Sequence, residues 1–152
     1  MLGKPKSGWT TFSLTNNEYD LSYLTDIALE WIEQSIHGLE TLHPFIVHGF
    51  LEPGRMLCVV SYWNIHIFVE DDENVSLNKE DSNYETIHMT MIDFCELLYN
   101  DIKENKDEWI NWFCDDECDL KKREKDINDG LDKLQKLINE KKEHFSSNRF
   151  FC

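Results

Sequence analysis

Histidine, cysteine and carboxylate side chains hold the chemical potential of this chain, and their spacing limits what they can do. His66 and His88 fall in predicted strands between apolar neighbours. A zinc site would need them adjacent, with a Cys or carboxylate close by. No ligand-spacing motif accompanies either one, so both read as strand histidines. The cysteines are Cys58, Cys95, Cys114, Cys118 and Cys152. An odd number at irregular spacing argues against a secreted disulfide framework and suits a reducing cytoplasm. Cys58 and Cys95 have apolar neighbours and read as small buried hydrophobes. Cys114 and Cys118 lie among acids with no second pair, which is not a zinc pattern.

Asp71-Asp72-Glu73 and Asp115-Asp116-Glu117 concentrate oxygen ligands. Neither has the alternating ligands, central Gly and closing Glu of an EF-hand loop. No G-x-S-x-G elbow and no Gly-rich phosphate loop is present. Carboxylate pairs are too many for any one of them to single out an acid–base couple. The chain is therefore not expected to be an enzyme, and no cofactor or metal is expected. An enzyme drawing its site from residues distant in sequence stays as a lesser alternative.

What stands out instead is charge. The net charge is −15, from 15 basic and 30 acidic residues. Residues 70–119 hold three Lys against seventeen Asp or Glu, a net of −14. Residues 120–152 are slightly basic, with nine against six. A field of that sign repels nucleic acid and anionic membrane and attracts basic partners. No apolar run approaches the roughly 20 residues that span a bilayer, and no secretory leader is visible at Met1–Lys6. Aromatic residues make up 12 % of the chain, enough apolar area for one packed domain over residues 1–152.

The predicted elements place these groups. Trp9–Leu14 is β-branched and aromatic and predicts a first strand, followed by a turn at Thr15-Asn16-Asn17. Thr25 can cap a helix over residues 26–41, with Ile27, Ala28, Trp31, Ile32, Ile36 and Leu39 on one face. Phe45–Phe50 is the second strand. Glu52-Pro53-Gly54-Arg55 carries a type II turn signal into Met56–Ser61, whose apolar run predicts a strand covered on both faces. Tyr62-Trp63-Asn64 turns into Ile65–Val69. Residues 70–83 form an acidic loop before a fifth strand, Tyr84–Met89.

Thr90 and Asp93 resemble a capping box, followed by a helix with Met91, Phe94, Cys95, Leu98 and Ile102 inside. Asn105 or Glu108 can restart the helix before Trp109, and Cys114–Asp119 is an acidic corner. Residues 120–145 form the last helix, where Ile127, Leu131, Leu134 and Ile138 make a narrow coiled-coil-like seam interrupted by Gly130. The expected class is α+β, in the order β-α-β-β-β-β-α-α. About five antiparallel strands would carry three or four helices on one face.

Two tryptophans, Trp63 at a turn and Trp112 near the acidic corner, are candidate exposed anchors, with core packing as the alternative for each. They join Glu70, Asp71, Asp72, Glu73, Asp115, Asp116, Glu117 and Asp119 as the candidate partner-binding residues.

Trp9-Thr10-Thr11-Phe12-Ser13-Leu14, the stretch Leu21–Trp31, the hairpin Phe45–Val69 and the acidic loop after it resemble bacterial immunity proteins of polymorphic-toxin and contact-dependent-inhibition systems. The resemblance covers about two-thirds of the chain and carries no catalytic signature. It implies that the protein binds a cognate toxin domain, often a basic nuclease, and occludes its active site or substrate surface. The partner would be that protein, with no nucleic acid and no membrane, and the chain itself a monomer or weak homodimer in the cytoplasm. The rival reading is a regulatory or adaptor subunit that dimerises through the 127–138 seam.

Overall fold

The computed structural model describes residues 1–70, 84–112 and 119–147. The class is α+β, with six strands and four helices among the described residues. β1 (Trp9–Phe12) and β2 (Tyr19–Ser22) form a hairpin, which adds a strand that the sequence pattern does not predict. Tyr19-Asp20-Leu21-Ser22 is too short and polar to alternate clearly. Its pairing comes from the turn at residues 15–17 folding it back on β1.

α1 spans Ile27–Thr41. Its cap is Asp26 rather than Thr25: the Asp26 carboxylate accepts from the Leu29 N–H at 3.5 Å. β3 (Phe45–Phe50), β4 (Arg55–Val60), β5 (Asn64–Glu70) and β6 (Tyr84–His88) form one antiparallel sheet in sequential order. The β3–β4 turn departs from the type II expectation. Gly54 takes the positive φ anticipated for it, but the Glu52–Pro53 peptide is cis and Glu52 also has a positive φ of 50°.

β4 is central, as expected, but it is covered on one face only. Met56, Cys58 and Val60 are buried, whereas Leu57 and Val59 are half-buried. The register sets His48, Leu57, Phe68 and Tyr84 side by side on that second face, so apolar neighbours shield one another across strands rather than being covered by a layer. On the buried face, Phe12 meets Trp31 edge-on at 5.3 Å and Phe45 meets Phe94 at 6.0 Å.

α2 (Met91–Glu104) buries the predicted face. Thr90 caps it, with its hydroxyl accepting from the Asp93 N–H at 3.1 Å and donating to the Asp93 carboxylate at 2.7 Å. Asn105 then breaks the helix, and α3 (Lys106–Ile110) turns Trp109 into the core. α4 spans Leu120–Ser147.

Ile127, Leu131, Leu134 and Ile138 are all buried, because α4 packs on α1 and α2 of the same chain. The seam that would have joined two copies is closed within one molecule. Dimerisation through the 127–138 seam is thereby corrected: its four apolar side chains are core. Gly130 is a site of close approach between α4 and α1, not a defect. A Cβ there would stand 2.8 Å from the Ile32 Cγ2.

A guanidinium locks these helices at one end. Arg123, only 6 % exposed, donates to the Ile110 and Trp109 carbonyls at 2.8 and 2.9 Å and, in a fork, to the Asp26 carboxylate. One side chain thus joins the start of α1, the end of α3 and the start of α4. Removing one partner of a buried pair leaves an uncompensated charge, at about 3–5 kcal/mol. Arg123→Met should lower stability by about that amount in chemical denaturation. Arg123→Lys should fail to restore it, since an ammonium lacks the planar fork.

A second tie holds the small hairpin to the sheet edge. The Tyr19 hydroxyl and the Thr15 hydroxyl, the latter at 2.7 Å, donate to the Glu85 carboxylate. Burial alone would raise the Glu85 pKa, but hydrogen bonds from Tyr19, Thr15 and Asn17 outweigh it and lower it below the ordinary value. A carboxylate with a depressed folded pKa contributes stability above its unfolded pKa and loses it as pH falls through the folded one. The stability difference between the parent and Glu85→Gln should therefore shrink between about pH 7 and about pH 3 in denaturant titrations.

Candidate partner-binding groove

The turn between β4 and β5 carries the one predicted anchor that the fold leaves open. The Ser61 N–H donates to the Asn64 carbonyl at 2.9 Å and closes the turn. The Tyr62 carbonyl accepts from the Met91 N–H at 3.0 Å, which satisfies a free donor in the first turn of α2. These two bonds fix the turn against the helix and leave the Trp63 side chain 66 % exposed. An indole so exposed has little reason to be held in place by the fold alone.

Trp63 borders a groove of about 430 Å³ between the turn, the start of α2 and the last turns of α4. Tyr62, Ile92 and Phe145 supply its apolar wall, while Thr90, Asp93 and Lys142 supply polar groups. The rings interlock. Tyr62 meets Trp63 at 4.5 Å and 77°, and Phe145 at 5.6 Å and 76°. Lys142 pairs with Glu96 at 2.5 Å, which ties the end of α4 to α2 and holds both walls together.

The other candidates divide. Trp112 is corrected: it is 8 % exposed, packs on Trp109 at 5.3 Å and donates its indole N–H to the Thr25 carbonyl at 3.1 Å. The acidic corner beside it in sequence suggested exposure, but the turn after α3, closed by the Trp112 N–H on the Trp109 carbonyl at 3.3 Å, carries it inward. Asp119 accepts from the Lys122 N–H at 3.1 Å and so begins α4. Glu70 belongs to β5 rather than to a loop, and Arg55, its cross-strand neighbour, pairs with it at 2.6 Å. Both roles are local and structural. Asp71, Asp72, Glu73, Asp115, Asp116 and Glu117 lie outside the described residues, as do Cys114, Cys118 and Cys152.

Phe145 and Asp93 also line the groove; the sequence pattern gives Asp93 only a capping role and does not mark Phe145. Phe145 lies beyond the hydrophobic seam of α4, and only the packing of α4 on α2 brings it to Tyr62. An aromatic placed after the last seam position is the one signal that could have marked it.

His66 shares its Nδ1 with the Tyr84 hydroxyl at 2.8 Å and the Thr86 hydroxyl at 3.2 Å, and His88 pairs with Asn64 at 2.8 Å. Neither lines the groove. Among the described residues, no group of three or more His, Cys, Asp or Glu is placed to hold a metal ion. Burial pushes the Cys95 thiol up to about 12 and raises Cys58 as well, so both are protonated at neutral pH and inert as nucleophiles. Among the described residues, no helix is long and apolar enough to cross a membrane.

The fold and groove define an α+β protein with an open aromatic cleft. No family model, curated protein or solved structure matches the chain.

Exposure separates the two tryptophans by experiment. Trp112→Ala should cost about 3–5 kcal/mol, as for a large core side chain. Trp63→Ala should leave stability within about 0.5 kcal/mol. Thermal and urea unfolding of both variants give the comparison.

Proposed function

We propose that this protein is an acidic binding protein that docks a basic protein domain through the Trp63 groove. Its partner in this reading is a toxin domain, which it neutralises in the cytoplasm by occlusion, as immunity proteins do. The observation that carries the reading is Trp63 itself. A tryptophan 66 % exposed at the rim of an aromatic groove is the kind of residue that anchors interfaces.

Charge supports the pairing. The α2 wall of the groove belongs to residues 70–119, where seventeen acids face three lysines in the sequence. A domain of that sign accelerates encounter with a basic partner and offers it a surface resembling nucleic acid phosphate. Binding then has two parts, a long-range attraction from the acidic third and a short-range anchor at Trp63. The first is screened by salt more strongly than the second.

The direct test is to express the domains encoded by the neighbouring genes and ask whether a basic toxin domain among them binds this chain. The purified full chain should bind it tightly, with an association rate that falls as salt rises. Charge reversal at Asp71, Asp72, Asp115 and Asp116 should slow association about tenfold or more without altering the circular dichroism spectrum. Absence of a complex at low salt would sink the reading.

A further inference from the structure

We infer that the Trp63 groove is a receptor for an arginine side chain presented by the partner. This deepens the docking reading above by naming the group that enters the groove. Three aromatic rings meet there at near-perpendicular angles. Tyr62 sits at the corner, with Trp63 at 77° and Phe145 at 76° to it and centroids 4.5 and 5.6 Å away. A cation is held over the electron-rich face of a ring and not at its electropositive edge. Tyr62 and Phe145 brace the corner, and Trp63, 66 % exposed, is the ring open to such a cation.

The charge balance in the groove points the same way. Lys142 lines it, but its ammonium is paired with Glu96 at 2.5 Å. Asp93 also lines it, and among the described residues no cation forms an ion pair with its carboxylate. The Thr90 hydroxyl donates to one Asp93 oxygen at 2.7 Å, which orients the carboxylate and leaves acceptor capacity for a ligand. The groove therefore combines an exposed indole with a carboxylate that has no ion-pair partner among the described residues, while its one ammonium is paired with Glu96. A neutral apolar side chain would use the rings and leave Asp93 unpaired. An anion would be repelled by it.

Arginine fits better than lysine. Its guanidinium is planar and weakly hydrated, stacks on an indole, and still directs N–H donors in its own plane toward a carboxylate. An ammonium is more strongly hydrated and gives up more on entering a site lined by rings. The volume of about 430 Å³ holds such a side chain with room for flanking backbone.

The test uses the full chain and three short blocked peptides, Gly-Arg-Gly, Gly-citrulline-Gly and Gly-Lys-Gly. Titrations are followed by the indole and aromatic NMR signals of Trp63, Tyr62 and Phe145. The arginine peptide should shift these signals saturably. Citrulline, which keeps the shape and loses the charge, should bind at least about tenfold more weakly. Trp63→Ala should abolish the effect, and Asp93→Asn, which preserves the helix cap, should weaken it several-fold.

Equal binding of citrulline, tighter binding of the lysine peptide, or no saturable shift with arginine would each overturn the assignment. These outcomes are independent of the toxin experiment. A toxin that binds while citrulline matches arginine removes only this inference. An arginine peptide that binds where no toxin does removes only the toxin reading.

Discussion

The arrangement of helices in this protein depends on the buried guanidinium of Arg123. It donates to the Trp109 and Ile110 carbonyls at the end of α3 and, at the same time, to the carboxylate that caps α1. Helix ends carry backbone groups with no partner inside the helix, and burying them is costly unless something replaces water. Here one side chain answers the end of one helix and the capping carboxylate of another while projecting from the first turn of a third. The planar fork sets direction as well as attraction, so α1, α3 and α4 meet at one angle rather than at several.

From that fixed point α4 runs on to Ser147. Gly130 lets it lie against Ile32 of α1, and the four-residue seam buries itself beneath α1 and α2. Its far end brings Phe145 to Tyr62, and the Lys142–Glu96 pair holds it there. The groove is thus assembled at the opposite end of the helix from the clamp that positions it. The β4–β5 turn contributes its tryptophan without any adjustment, because its backbone is already bonded to the start of α2.

The slightly basic last third is mostly scaffold, with lysines paired to Glu40, Glu96 and Asp129, and only its last turns reach the groove, through Lys142 and Phe145. The acidic third supplies one wall of the groove. Some of its carboxylates act locally. Asp119 starts α4, and Glu70 answers Arg55 across the sheet. A high count of acids in a segment therefore overstates its free charge, and each carboxylate has to be judged by its neighbours.

Periodicity determined much from the sequence alone. Strand β3, helix α1, the broken pair α2 and α3, and the buried face of α4 follow from apolar spacing and from Thr90 and Asn105. These are local preferences, set by the fixed repeat of 3.6 or 2 residues, and any packed structure must respect them. The acid imbalance is likewise a property of composition.

Only the tertiary structure decided what each face meets. It turned a seam suited to two chains into the core of one, because α1 and α2 reach it first. It placed Trp112 inside and Trp63 outside, although both stand near turns and acids in sequence. It also joined Tyr62, Trp63, Asp93 and Phe145 into one groove. Contacts between residues some eighty apart are set by helix packing and by a buried ion pair, and neither leaves a periodic trace in the chain.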